Sequence, residues 1–124
     1  GEKFAFKLVG DYNLKKEEQL ENFSDELKRK SKSSVSAPKS WREAFFQLRD
    51  YIDTLPHDEK QVVFFDEMPW LDNHKSGFLE AFEYFWNSYG SSKNNLLFIV
   101  CGSATSWLVE NIDHNKQTEL QDIS

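Results

Sequence analysis

The residues of this chain best suited to chemistry stand side by side at 66 and 67. Gln61-Val-Val-Phe-Phe65 runs into Asp66-Glu67, and Met68-Pro69 stops the run. An apolar run without alternation is the pattern of a strand buried on both faces of a parallel sheet. In such sheets the carboxyl ends of the strands form the functional rim. An Asp at a strand tip can hold Mg²⁺ against nucleotide phosphates, often through water. A Glu one residue later points elsewhere along the rim and can polarise an attacking water. A second run, Asn95-Leu-Leu-Phe-Ile-Val-Cys101, breaks at Gly102-Ser103, where a small hydroxyl can touch the terminal phosphate or that water. Asp-Glu is also a common solvated strand end. The two strand ends in this order, separated by one aromatic helix, carry more weight than either alone.

Other chemistry-bearing residues have plainer readings. Asp66, Asp72 and His74 can be drawn as a metal site, but 72–76 reads first as a polar loop capping a helix. Phe78, Phe82, Phe85, Trp86 and Tyr89 could stack on bases; their helical spacing points instead to a face packed on the sheet. Lys28, Arg29 and Lys30 could bind an anion, yet they also suit the negative end of a helix. Cys101 lies in an apolar strand with no basic neighbour in sequence and reads as a small hydrophobe. Trp70 takes no assigned role.

The elements that must position these residues follow from periodicity. Phe4–Val9 is β-prone and Gly10-Asp11 closes it. Asn13 can cap a helix over about 13–30, with Leu20, Phe23 and Leu27 on one side. Residues 31–39 are a Ser/Lys-rich loop. Ser40 and Glu43 form a capping box, followed by the stripe Trp41, Ala44, Phe45, Leu48, Ile52 and Leu55, which Pro56 ends. Residues 61–65 and 95–101 are strands, with a helix between them that Gly90 stops. A last helix is expected over about 105–113 on Leu108 and Ile112, and the stretch from 115 on is polar. The order β-α-α-β-α-β-α predicts a parallel α/β sheet with right-handed crossovers.

The 124 residues suffice for one domain. A net charge of −6 argues against sequence-independent nucleic-acid binding, which needs a basic face. Eleven Phe, four Trp and four Tyr supply a real core and argue against global disorder. No apolar run reaches the ~18 residues of a membrane helix, and no signal-peptide pattern opens the chain. With one cysteine there is no internal disulfide, and no zinc spacing is present. A soluble cytoplasmic chain is the expectation.

Phe4–Gly10, VVFFDEMPW at 62–70, FLEAFEYFW at 78–86 and LFIVCGSATSW at 97–107 together resemble the prokaryotic AAA-type ATPases. More narrowly, they resemble the archaeal-ATPase-like branch of the P-loop NTPases, over roughly residues 1–115. The resemblance implies a three-layer core with parallel strands in the order 5-1-4-3-2 and ATP at the strand tips. Phe4–Val9 matches the second strand, Gln61–Phe65 the Walker B strand and Asn95–Cys101 the sensor strand. Asp66 is then the magnesium-associated acid, Glu67 the catalytic glutamate and Ser103 the sensor, with Thr105 as a rival that would touch the nucleotide.

The sequence departs from that family in two ways. No G-x-x-x-x-G-K-[ST] occurs, the five glycines are isolated, and no Arg follows Arg49. The chain also opens on Gly1. The expectation is therefore a partial ATPase domain over 1–115 with a polar tail over 116–124, inactive by itself. Two alternatives stand beside it: a non-catalytic regulatory or interaction domain with a degenerate nucleotide fold, and a small metal-dependent phosphohydrolase using Asp66, Glu67, Asp72 and His74. In the implied strand order, 95–101 would be an unblunted apolar edge. Self-association through that edge is expected in preference to a fold-back of 115–124.

Overall fold

The computed structural model describes residues 4–69, 76–102, 106–110 and 119–122. In chain order the elements are β1 (Phe6–Val9), α1 (Lys16–Ser31), α2 (Trp41–Ile52), β2 (Gln61–Asp66) and α3 (Phe78–Ser88). A 3-10 turn at Gly90–Ser92 follows, then β3 (Leu96–Cys101), β4 (Ser106–Glu110) and β5 (Glu119–Asp122). The sheet order is β1-β2-β3-β4-β5. β1, β2 and β3 are parallel, while β4 and β5 are antiparallel to their neighbours. The fold class is α/β.

Local signals explain most boundaries. α2 starts where the Ser40 hydroxyl accepts from Glu43 N–H at 3.1 Å, while the Glu43 carboxylate accepts from Lys39 N–H rather than closing the box on Ser40. α1 starts later than expected. Asn13 does not cap it; its N–H donates to the Asp11 carboxylate in a tight turn, and Lys15 holds the cap position with its N–H on Glu18. The basic cluster at the end of α1 is partly engaged: Arg29 pairs with Glu26, and Lys30 Nζ donates to the Phe4 carbonyl. At α3 the Ser76 hydroxyl accepts from Phe78 N–H at 3.1 Å. The rest of the expected polar cap, Asp72 to Lys75, lies outside the described residues.

All three helices pack on one face of the sheet. Phe23 of α1 meets Phe6, Trp41 and Phe45 of α2 meet Phe65, and Phe82 and Phe85 of α3 meet Phe98. The reason is topological. Right-handed crossovers running steadily from β1 to β2 to β3 place every connecting helix on the same side. The described residues therefore form two layers rather than the expected three. β2 and β3 alternate buried and half-buried positions instead of being buried on both faces. Phe6, Leu8, Val63, Phe65, Leu96, Phe98, Val100 and Val109 face the helices and are buried. On the other face Val9 is 52% exposed, and Val62, Phe64, Leu97, Ile99 and Leu108 are half-buried, with no described helix over them.

Within the stretch 105–113, where a helix is expected, Ser106–Glu110 forms a strand. Two apolar residues four apart are a thin helical signal. In β4, by contrast, Trp107 and Val109 register against Val100 and Phe98, and Val109 is buried. The hairpin also satisfies the backbone of β3, which would otherwise present unpaired N–H and C=O groups. The polar stretch from 116 carries no signal for an element, yet Glu119–Asp122 forms β5 on β4. Residues 95–101 are thus not an open edge, and the basis for self-association through them is gone.

Candidate functional site

Three parallel strand ends meet at one rim. Val9 stands beside Asp66 and Phe65 beside Val100, so the residues that follow, Gly10, Glu67 and Cys101-Gly102, lie next to one another. Asp66 is the last residue of β2; its side chain is half-buried on the face that carries no described helix, the face shared with Phe64 and Val62. Gly10 N–H donates to its carbonyl at 2.7 Å, which pins the strand end to β1. Glu67 is exposed, and its backbone is left-handed at φ 58°. A non-glycine residue there costs roughly 1–3 kcal/mol and persists only where its surroundings hold it. They do so here. Met68, 1% exposed, is anchored in the core, and its N–H donates to the Cys101 carbonyl at 2.9 Å. The chain is fixed on both sides of Glu67, and its carboxylate is left at the rim.

Sequence reasoning missed two residues that shape this turn. A Cβ on Gly10 would stand 2.3 Å from the Glu67 carbonyl oxygen and 2.6 Å from Gln19 Nε2. Gly10 is therefore needed for close approach as well as for ending the strand. Gln19 is fully buried at the start of α1, and neither of its amide atoms has a hydrogen-bond partner among the described residues. A glycine directly after a strand was the only available signal; nothing marks a buried Gln among the other polar residues of α1. Gly10→Ala should push the Glu67 turn outward and destabilise the protein by about 1–3 kcal/mol, the usual cost of overpacking. A urea midpoint equal to the parent's would show that the turn is free to move.

Of the expected site residues, the rim brings Asp66 and Glu67 together beside Cys101 and Gly102. Ser103 and Thr105 belong to the β3–β4 connection and lie outside the described residues, as do Trp70, Asp72 and His74. Among the described residues no group of three or more His, Cys, Asp or Glu side chains could hold a metal. Asp66 offers a single carboxylate at the tip of β2, a donor type that Mg²⁺ accepts. Cys101 is half-buried and free. The α3 rings Phe78, Phe82, Phe85, Trp86 and Tyr89 are buried against the core, which removes them as a base-stacking surface. Among the described residues no helix is long and apolar enough to cross a membrane. Neither protein-family models, nor curated proteins, nor solved structures give a match to this chain.

Proposed function

We propose that this chain supplies the Walker B and sensor strands of an ATP-hydrolysing P-loop domain. Asp66 would act on Mg²⁺ and Glu67 on the attacking water. The observation that carries the reading is the Asp66-Glu67 rim, with Glu67 held in a left-handed turn at the end of a strand flanked on both sides by parallel neighbours. Strain kept at a strand tip is the kind of outlier from which a functional role is argued. The parallel run β1-β2-β3 also supports it, since the reading requires the second, Walker B and sensor strands to be adjacent in that order.

The chemistry divides between the two carboxylates. Bound Mg²⁺ would neutralise charge on the β and γ phosphates. Asp66 would orient that ion, directly or through water, and Glu67 would accept a proton from the nucleophilic water as it attacks. Ser103, two residues beyond Cys101, would report the terminal phosphate. The consecutive backbone N–H groups and the lysine that cradle phosphates are not among these residues and would come from a segment preceding Phe4 in the same polypeptide. The strand leading into that segment would lie beside β3. The reading therefore requires Ser106–Glu110 to give up that place when the segment is present.

Calorimetric titration separates the parts. Residues 1–124 alone should show no saturable Mg-ATP binding, because the phosphate cradle supplies most contacts to the β and γ phosphates. Low-micromolar affinity in this chain alone would overturn the P-loop reading.

A further inference from the structure

The C-terminal ends of α1 and α2 and the connection between them line a cleft of about 380 Å³ that the ATPase reading does not use. Leu27 and Val35 form its apolar wall. The hydroxyls of Ser31, Ser33, Tyr51 and Thr54 also line it, and each directs its proton to another oxygen. Ser31 Oγ donates to the Leu27 carbonyl at 2.7 Å, so in its 3.0 Å contact with Ser33 Oγ the proton comes from Ser33. The Tyr51 hydroxyl donates to the Ala5 carbonyl at 3.2 Å, and Thr54 Oγ1 donates to the Tyr51 carbonyl at 2.6 Å. A hydroxyl has one proton and two lone pairs, so these oxygens have only lone pairs left to offer. Gln47 adds a further acceptor. Its Nε2 donates to the Ser36 carbonyl at 3.0 Å, which orients the amide, and its Oε1 is buried with no hydrogen-bond partner among the described residues. A buried polar atom without a partner calls for an explanation. Asp50, three residues further along α2, lines the same cleft and is exposed. It forms no ion pair among the described residues, whose salt bridges are Arg29–Glu26, Lys60–Glu110 and Lys93–Asp53.

We propose that this cleft binds a small alkylammonium, its charged head among Asp50, Gln47 Oε1 and the hydroxyl oxygens and its chain against Leu27 and Val35. Side-chain groups that can only accept, one of them a full negative charge, require a ligand that donates and is positive. An ammonium carries three rotatable donors and no acceptor, which suits separate acceptors on two helices. Gln47 and Asp50, at i and i+3, stand on one side of α2 and can share one such head. The setting adds to the preference. α1 ends at Ser31 and α2 at Ile52, so the negative ends of two helix dipoles lie at the cleft. No Lys or Arg side chain lines it. The inference does not depend on the ATPase reading.

Two other ligands fit less well. A divalent cation needs several oxygen ligands at short range, usually with more than one carboxylate, whereas this cleft supplies Asp50 alone and has an apolar wall. An anion would be drawn by the exposed Lys28 and Lys32, which flank the end of α1. Inside the cleft, however, it would meet the Asp50 carboxylate and hydroxyls whose protons are already directed elsewhere. The third nearby cation, Lys30, donates to the Phe4 carbonyl.

The test titrates ¹⁵N-labelled residues 1–124 with n-butylammonium chloride at constant ionic strength and follows the backbone amides by NMR. Saturable shifts are expected at Ser31, Ser33, Val35, Gln47 and Thr54, half-complete at about 1–10 mM, the range for so few ligand atoms. n-Butanol, of similar shape without the charge, should bind about tenfold more weakly or worse. Asp50→Asn should weaken butylammonium about tenfold, while Asp58→Asn, at an exposed acid outside the cleft, should leave it within about twofold. Both positions are exposed, so both variants should fold, and the butanol comparison uses the unaltered protein in any case. Nα-acetyl-lysine methylamide separates the sources: tighter binding than butylammonium assigns the head to a protein side chain, weaker binding to a free amine, and both keep the proposal. Shifts that do not saturate by about 100 mM, equal binding of butanol, or equal losses in the two variants overturn it. Tighter binding of n-butyrate overturns it in favour of an anion site, and tighter binding of Ca²⁺ in favour of a metal site.

Discussion

Phe65→Ala should destabilise the protein by about 3–5 kcal/mol, while Phe64→Ala, one residue away in the same strand, should cost about 1 kcal/mol. Phe65 is fully buried, and its ring is stacked on Phe45 at 5.8 Å with an interplanar angle of 15°. It also lies 5.3 Å from Phe98, 5.8 Å from Phe6 and 5.9 Å from Phe78. Removing it opens a cavity where the packing of all three helices on the sheet converges, and such a site cannot collapse without moving several elements. Phe64 points to the opposite face, where it is half-buried and meets the Phe4 ring at 5.5 Å and Lys7 Nζ at 5.5 Å. A domain of this size has a total stability of about 5–15 kcal/mol, so the first substitution removes a large share of it. Urea unfolding of the two variants measures the asymmetry directly. Equal losses at both positions would mean that a further layer covers the Phe64 face, and the two-layer description would be wrong.

That asymmetry also marks where the sequence stopped being legible. The helices α1, α2 and α3 were readable because apolar residues recur at helical spacing and Ser40, Ser76 and Gly90 punctuate them. β2 and β3 were readable as strands because Val, Ile and Phe cluster between turn residues. Which face of those strands is covered was not readable, because Val62-Val63-Phe64-Phe65 offers the same hydrophobicity to both sides. Crossover handedness decided it, a property of chain order rather than of any residue. β4 was lost because Leu108 and Ile112 mimic a helical stripe, whereas the pairing that forms it depends on the remote Phe98 and Val100. β5 lacks any local signal and depends wholly on β4. At the rim, Asp66 and Glu67 were legible from type and position. The left-handed turn of Glu67 was not, because Glu carries no preference for it. That turn depends on Gly10 leaving room, on Met68 being buried and on the Cys101 carbonyl.

The central claim is that the Glu67 carboxylate activates water and that Asp66 serves the metal. The two roles predict different losses from isosteric changes. Glu67→Gln removes a proton acceptor without removing a ligand, so chemistry fails and binding survives. Asp66→Asn weakens the hold on Mg²⁺, so the magnesium-dependent part of nucleotide affinity falls. Both residues sit at the strand end rather than in the core, so both variants should fold. The decisive measurement pairs Mg-ATP binding with steady-state hydrolysis in a polypeptide of the kind the proposal requires, one that joins a phosphate loop to these residues. The account predicts that Glu67→Gln binds Mg-ATP as the parent does and turns over about 10²–10⁴-fold more slowly, the range for loss of a general base. Turnover within about threefold of the parent would contradict it, because no interaction specific to the transition state would then have been lost at Glu67.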